Sequence, residues 1–294
     1  MGCINKIIKS RKFGISLFVC PLILFLLFGG CSVSEKSAAT DIIAGTSLIA
    51  DIIADLTDAS VSTYTLLPSS SCPSQFDLKT SDISRLEQAQ LIFLHPWQLK
   101  LANIRRVLDA AEVPESRIHV VEVPGNWMLP GVQTAAAVAL SETLRDLYPE
   151  QRGIIAERAE RRIARIHKIE DRERETLPPS AISDIAVLCN EMQAPFIRWL
   201  GFDVVEGYAR SEDWSVSEMK RLVQLGNERK IMLVIDNLQN GSLRMSETLA
   251  RNTNAVSIVL SNFPNGFPNT PTWEAAFTEN MNRLRKSLAH SVAP

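Results

Sequence analysis

Cys72, Cys189, His95, Glu191 and Asp236 carry the most reactive chemistry in this chain, and each falls in a loop just beyond an apolar, strand-like run. Thiolate, imidazole and carboxylate are the donors that borderline and soft metals take. Cys72, Cys189 and His95 could therefore form a metal site. The same residues have plainer readings: outside the cytoplasm two thiols can pair as a disulfide, or both remain unpaired small side chains beside a loop histidine. Cys72, His95 and Asp236 can also be arranged as nucleophile, base and orienter. No nucleophile-elbow motif surrounds Cys72, so an enzyme is not expected. Around these residues stand neutral polar groups, Ser74, Gln75, Asn126, Asn190, Ser261 and Asn262, with Asn237 beside Asp236 and with Trp97 and Trp127. A few convergent polar groups beside aromatic walls suit a polar organic ligand or a metal complex; packing inside a lobe would equally explain the tryptophans. His119 and His167 read as a strand flank and a solvated helix face.

The elements that must position these loops alternate strongly. Short buried strands are expected at the start of Asp41–Ala50, at Val61–Leu67, Leu91–Leu94 and Ile118–Val123, and again at Ile182–Leu188, from Val204, at Ile231–Ile235 and at Ala255–Leu260. Helices follow them: through Leu48–Leu56, from a cap at Ser81 or Asp82, over Leu99–Ala111, Val132–Leu147, Pro195–Leu200 with Gly201 as its stop, Ser215–Arg229 with a serine cap, Ser246–Asn252 and Trp273–Ala289. Strand and helix in alternation imply α/β architecture with mainly parallel sheets. Ligands of such sheets bind beyond the carboxyl ends of the strands, which is where the reactive loops lie.

Between the two alternating regions runs Pro149–Thr176. After its first residue it holds no proline, and Gly153 is its only glycine. Ile155, Ala159, Ile163, Ile166 and Ile169 recur at steps of three or four and give a narrow apolar stripe. Glu157 with Arg161 and Glu170 with Arg174 are acid-before-base pairs at the favourable i,i+4 spacing. Roughly 27 residues at about 1.5 Å each make a rod of about 40 Å, too long with so thin a stripe to lie inside one compact core: a long amphipathic surface helix, half of a coiled coil, or a spine between two lobes. The expected organisation is residues 1–30 as a leader, 31–40 as a tether, 41–148 as an N-terminal α/β lobe, 149–177 as a linking backbone helix and 178–294 as a C-terminal α/β lobe, with a ligand cleft between the lobes.

Composition narrows the function. The chain has 294 residues and a formal net charge of −2, without the basic excess expected of a nucleic-acid binder. Lys6, Lys9, Arg11 and Lys12 precede an apolar run from Phe13 to Phe28, followed by Gly29, Gly30 and Cys31. That order describes a secretory signal. The run is short for a membrane span and contains Pro21.

Several stretches together resemble a family. Thr46–Asp51 opening a helix, Leu67-Pro68, Phe76–Asp82, Ala89–Phe93, Pro124–Pro130, Leu147–Glu150 and Leu200–Val204 look, in order and spacing, like the TroA-like (cluster A-I) metal-specific solute-binding lipoproteins of bacterial ABC importers, the zinc and manganese group. Gly29-Gly30-Cys31 likewise resembles a lipobox with Phe28 in place of the usual leucine, which makes Cys31 the lipidated first mature residue. The resemblance implies two α/β lobes on a rigid helix, a monomer on the extracytoplasmic (periplasmic) face held to the membrane by lipid on Cys31, partnership with an ABC permease and its ATPase, and a divalent metal or metal complex as cargo. It also implies no catalysis. The family's metal ligands do not carry over: the matching positions hold Ser74, Gly125, Asn190 and Ser261, none of them an anionic or imidazole donor. The alternative is a partner-binding or sensor protein that keeps the fold without ligand transport.

Overall fold

The computed structural model describes residues 41–291 apart from 60, 78, 211, 212 and 242. The leader, Cys31 and the tether lie outside the described residues. Among those described, no helix is long and apolar enough to cross a membrane.

The first four strands are β1 (Ile42–Ala44), β2 (Thr63–Thr65), β3 (Leu91–Leu94) and β4 (Ile118–Val120). They form one parallel sheet in the order β2-β1-β3-β4. A second parallel sheet, β6-β5-β7-β8, is built from β5 (Ala186–Asn190), β6 (Asp203–Tyr208), β7 (Leu233–Asn237) and β8 (Val256–Leu260). The expected α/β class and parallel pairing are both present. β1, β5 and β7 are buried along their whole length, as expected for strands covered on both faces.

Helices α1 (Ser47–Leu56), α2 (Thr80–Gln88), α3 (Ala102–Ala110) and α4 (Pro130–Leu147) accompany the first sheet; α6 (Ala194–Leu200), α7 (Val216–Arg229), α8 (Arg244–Thr253) and α9 (Trp273–Ser291) accompany the second. In α1, Leu48, Ile49, Ile52, Ile53 and Leu56 are all buried, the face that their spacing dictates. Ser215 caps α7, its Oγ accepting from Glu218 N at 3.1 Å. Gly201 ends α6 at φ 111°, a left-handed turn that favours glycine. Three local expectations shift. Asp82 does not cap α2 from outside; it sits three residues inside and accepts from Lys79 N at 2.7 Å, because a carboxylate there can reach back to the free N–H groups of the first turn. Residues 182–185 turn rather than extend, and β5 begins at Ala186. Leu99 to Leu101 belong to a short 3-10 turn and its end, so that α3 starts at Ala102.

The connecting helix α5 (Arg152–Thr176) follows a 3-10 turn at Pro149–Gln151. Both expected i,i+4 pairs form, Arg161 to Glu157 at 2.8 Å and Arg174 to Glu170 at 3.4 Å. Its interior face is not purely apolar. Ile155, Ala159 and Ile166 are buried, Ile163 and Ile169 only partly, and Arg162 and Glu173 are buried with them. Arg162 donates to Asp51 Oδ2 at 2.7 Å, to Asp55 Oδ2 and to Gln133 Oε1 at 3.1 Å, so one guanidinium ties α5 to α1 and α4. Asp51 Oδ2 also accepts from Trp273 N at the start of α9. Through α4, α5, α6 and α9 one contiguous core runs from β1 to β8, where a spine outside any compact core was expected. The charged side chains make this possible: long stems bury their methylenes while their ends pair.

Candidate functional site

β1, β2, β3, β5, β7 and β8 end near one another, at the junction of the two lobes. On the N-terminal side, Gly45 follows β1 and packs against the side chain of Gln98; a Cβ at Gly45 would stand 2.1 Å from Gln98 Oε1. Gln98 accepts from His95 N at 2.9 Å and donates to Gly45 O at 3.0 Å, fixing the loop after β3. His95 is buried, with Nε2 2.9 Å from Thr46 Oγ1. Its ring stacks on Trp97 at 5.5 Å and meets the edge of Trp127 at 4.3 Å. Burial drives its pKa down to about 3, so the imidazole is neutral.

On the C-terminal side the strand ends present carboxamides and hydroxyls. Gln239 Nε2 donates to Ser261 Oγ at 3.0 Å, and its Oε1 accepts from Asn262 N at 3.0 Å. Asn262 Oδ1 accepts from Gln193 Nε2 at 3.1 Å, and Gln193 Nε2 also reaches Asn237 Oδ1 at 3.0 Å. Ser261 is held further by Asn280, whose Oδ1 accepts from Ser261 N and whose Nδ2 donates to Ser261 O.

The two sides touch directly. Gln239 Nε2 donates to Ser69 O at 2.6 Å; Ser69 Oγ donates to Ser47 Oγ at 2.9 Å, and Ser47 Oγ to Pro264 O at 2.8 Å. Asn126 Nδ2 donates to Met192 O at 2.8 Å and to Asn262 Oδ1 at 3.2 Å. Arg210 Nη1 reaches Cys72 Sγ at 3.4 Å. Around Cys72, partial burial works to raise the thiol pKa, yet hydrogen bonds from the Ser74 side chain and backbone, together with Arg210, bring it below the ordinary value.

The junction takes in only some of the residues singled out from sequence. Asn126, Asn190, Ser261 and Asn262 lie at the junction, with Asn190 Oδ1 turned to Met192 N at 3.0 Å. Ser74, Gln75 and Glu191 are exposed. Trp127 is core, its Nε1 donating to Val123 O, whereas Trp97 remains 36% exposed. Asp236 is buried in its own lobe, with Oδ1 accepting from Asn237 N and Asn240 Nδ2, and burial raises its pKa. The proposed soft-metal trio does not assemble. Cys189 is fully buried within β5, with its thiol turned to Asn190 O, and burial pushes that thiol up. Cys72 is half-buried on a loop, and both thiols are free, so they form no disulfide. No group of three His, Cys, Asp or Glu among the described residues could hold a metal. The four positions that the resemblance matches to the family's ligands are likewise split. Ser74 and Gly125 are on exposed loops and Asn190 and Ser261 are fully buried.

Ser47, Ser69, Gln193, Gln239 and Arg210 escaped the sequence reading. Gln193 and Gln239 lie in the strand-end loops already marked by Asn190 and Asp236, which was the available signal. Ser69 opens the strand-end loop that continues to Phe76, whereas nothing local distinguishes Ser47.

Two parallel sheets with their strand ends facing across a helix-backed junction make a two-lobed α/β architecture. Residues 42–287 match the family model described as zinc-uptake complex component A, periplasmic (ZnuA), and the chain belongs to that family. The family comprises metal-binding periplasmic components of ABC uptake systems; its members bind solutes and are not enzymes. Among solved structures, a metal-free S38A mutant of a periplasmic metal binding protein from Candidatus Liberibacter asiaticus is similar at 15% identity and TM-score 0.71, covering 85% of this chain and 99% of its own. The periplasmic zinc binding protein TroA from Treponema pallidum is similar at 18% identity and TM-score 0.68, covering 84% and 98%. A structure of ZnuA is similar at 15% identity and TM-score 0.68, covering 85% and 99%. No curated protein matches the chain.

Proposed function

We propose that this chain is the lipid-anchored solute-binding component of an ABC importer, acting with a permease and its ATPase, and that its cargo is not a bare zinc or manganese ion held at the family's usual position. The observation that carries the second half is the donor set. Ser74, Gly125, Asn190 and Ser261 stand where the resemblance places metal ligands. The groups around Ser261 are neutral amides and hydroxyls that already hydrogen-bond one another, and Asn190 offers only a carboxamide, its Oδ1 accepting from Met192 N. Stripping water from a divalent ion without anionic or imidazole donors is strongly unfavourable. A polar organic molecule or an already complexed metal fits such a surface better, with Trp97 as a stacking face at the rim.

The test is calorimetry with zinc and manganese on reduced, metal-free protein, followed by native mass spectrometry with elemental analysis. The expected outcome is no submicromolar one-to-one binding of either ion. Tight binding that is lost when Asn190 or Ser261 is replaced would overturn the reading. For the anchor, Cys31→Ser should leave unprocessed precursor and abolish lipid labelling; unchanged labelling would refute it.

A second reading is a partner-binding or sensor protein that keeps the fold without transport. It is favoured by the direct lobe-to-lobe hydrogen bonds from Gln239, Ser47 and Asn126.

A further inference from the structure

We infer that Gln239 and Asn126 form a built-in latch, in which the protein's own carboxamides bridge the two lobes where a bound cargo would otherwise have to do so. This inference goes beyond the choice of cargo and holds under either reading above.

The two residues share one design. Each uses its carbonyl oxygen inside its own lobe and its NH2 group across the junction, Gln239 also donating from Nε2 to Ser261 Oγ in its own lobe at 3.0 Å. Gln239 Oε1 accepts from Asn262 N, just past the neighbouring strand β8 of the same sheet, while Nε2 donates to Ser69 O in the opposite lobe at 2.6 Å. Asn126 Oδ1 accepts from Met128 N at 2.8 Å, while Nδ2 donates across to Met192 O at 2.8 Å and Asn262 Oδ1 at 3.2 Å. Asn262 joins the two bridges, since its N–H meets Gln239 and its Oδ1 meets Asn126 and Gln193. A second path returns through Ser69 Oγ, Ser47 Oγ and Pro264 O. Gln239 is only 4% exposed, so its crossing hydrogen bonds compete little with water. Breaking the Gln239 crossing bond would leave a nearly buried N–H without a partner, which costs more than the bond itself contributes; the Asn126–Met192 bond is exposed, and water can replace it. Anything entering between the lobes must displace these amides and satisfy their partners. The latch therefore sets a threshold against weak or non-complementary solutes.

The arrangement makes the test selective. Gln239→Glu and Asn126→Asp keep size and the in-lobe acceptor but replace the crossing donor with an oxygen facing a carbonyl; Gln239→Glu also loses the in-lobe bond to Ser261 Oγ, which keeps Phe263 N and O as partners. Hydrogen exchange followed by mass spectrometry, with small-angle scattering, is run on the folded full-length chain and both variants. Exchange in 66–72 and 124–130 should rise at least about tenfold, as expected of local opening, with a larger radius of gyration. β3, β5 and the amide of Asn262 should stay protected, an outcome that a general packing defect would not give. Should Gln239→Glu fail to fold, Asn126→Asp alone decides. Wild-type exchange and scattering in the folded variants, or equal loss of protection in the strands, would overturn the inference.

Discussion

Replacing Arg162 with methionine tests how the helix backbone is fixed to the first lobe. The methionine fills much of the same volume, so the chief change is electrostatic. Arg162 is fully buried and supplies donors to Asp51, Asp55 and Gln133. The Asp51 side chain is 7% exposed, and without Arg162 its charge keeps only the Trp273 N–H. Leaving one partner of a buried pair uncompensated costs about 3–5 kcal/mol; Asp55, a third exposed, adds little because water screens it. In a fold of this size that corresponds to a loss of about 10 °C in Tm. The deficit should depend on pH. Burial already raises the Asp51 pKa, and Arg162 opposes that rise by favouring the carboxylate. Removing Arg162 raises it further. A carboxyl whose folded pKa lies above its unfolded value has its full stability below the unfolded value, about 4, and loses it as pH rises through the folded one. The variant's deficit should therefore be largest near pH 8 and shrink toward pH 5. Urea unfolding of both proteins at the two pH values measures it. A deficit under about 1 kcal/mol, or one identical at both values, would refute the reasoning.

Other outcomes follow from the junction. His95, held neutral by burial, should keep the chemical shifts of a neutral imidazole down to pH 5 in an NMR titration. Its folded pKa lies below the unfolded one, so it withdraws stability as pH falls from about 6.5 toward 3. Gly45→Ala would push Gln98 off both of its bonds and should destabilise by about 2–3 kcal/mol in thermal or urea unfolding. Of the two thiols in the described fold, Cys72 alone should react with iodoacetamide under native conditions, and Arg210→Ala should slow it; peptide mapping after labelling reads both, and labelling of Cys189 before unfolding would contradict its burial.

Periodicity and punctuation are local properties, and they were enough for the architecture. Apolar runs ending in polar loops and a long helix between two alternating regions already specified two parallel sheets on a backbone helix. Spacing also specified the i,i+4 pairs of that helix and the buried face of α1. The residue types at the positions that the resemblance matches to the family's ligands are single letters in the chain: Ser74, Gly125, Asn190, Ser261. Tertiary structure alone decided which of them meet. Ser69 and Gln239 lie 170 positions apart, and Asn126 and Asn262 136, so no local pattern could report their contact. Nor does any pattern mark Arg162 as interior, since a charged residue inside an amphipathic helix ordinarily faces water; only Asp51, Asp55 and Gln133 on two other helices make its burial tolerable. Cys72 and Cys189 looked alike in sequence and were separated by burial, which left one thiol beside Arg210 and enclosed the other in a strand. Secondary structure follows from neighbours in the chain, whereas a site at the junction of two lobes follows from groups brought together by packing, and their partners are fixed only when the whole core has formed.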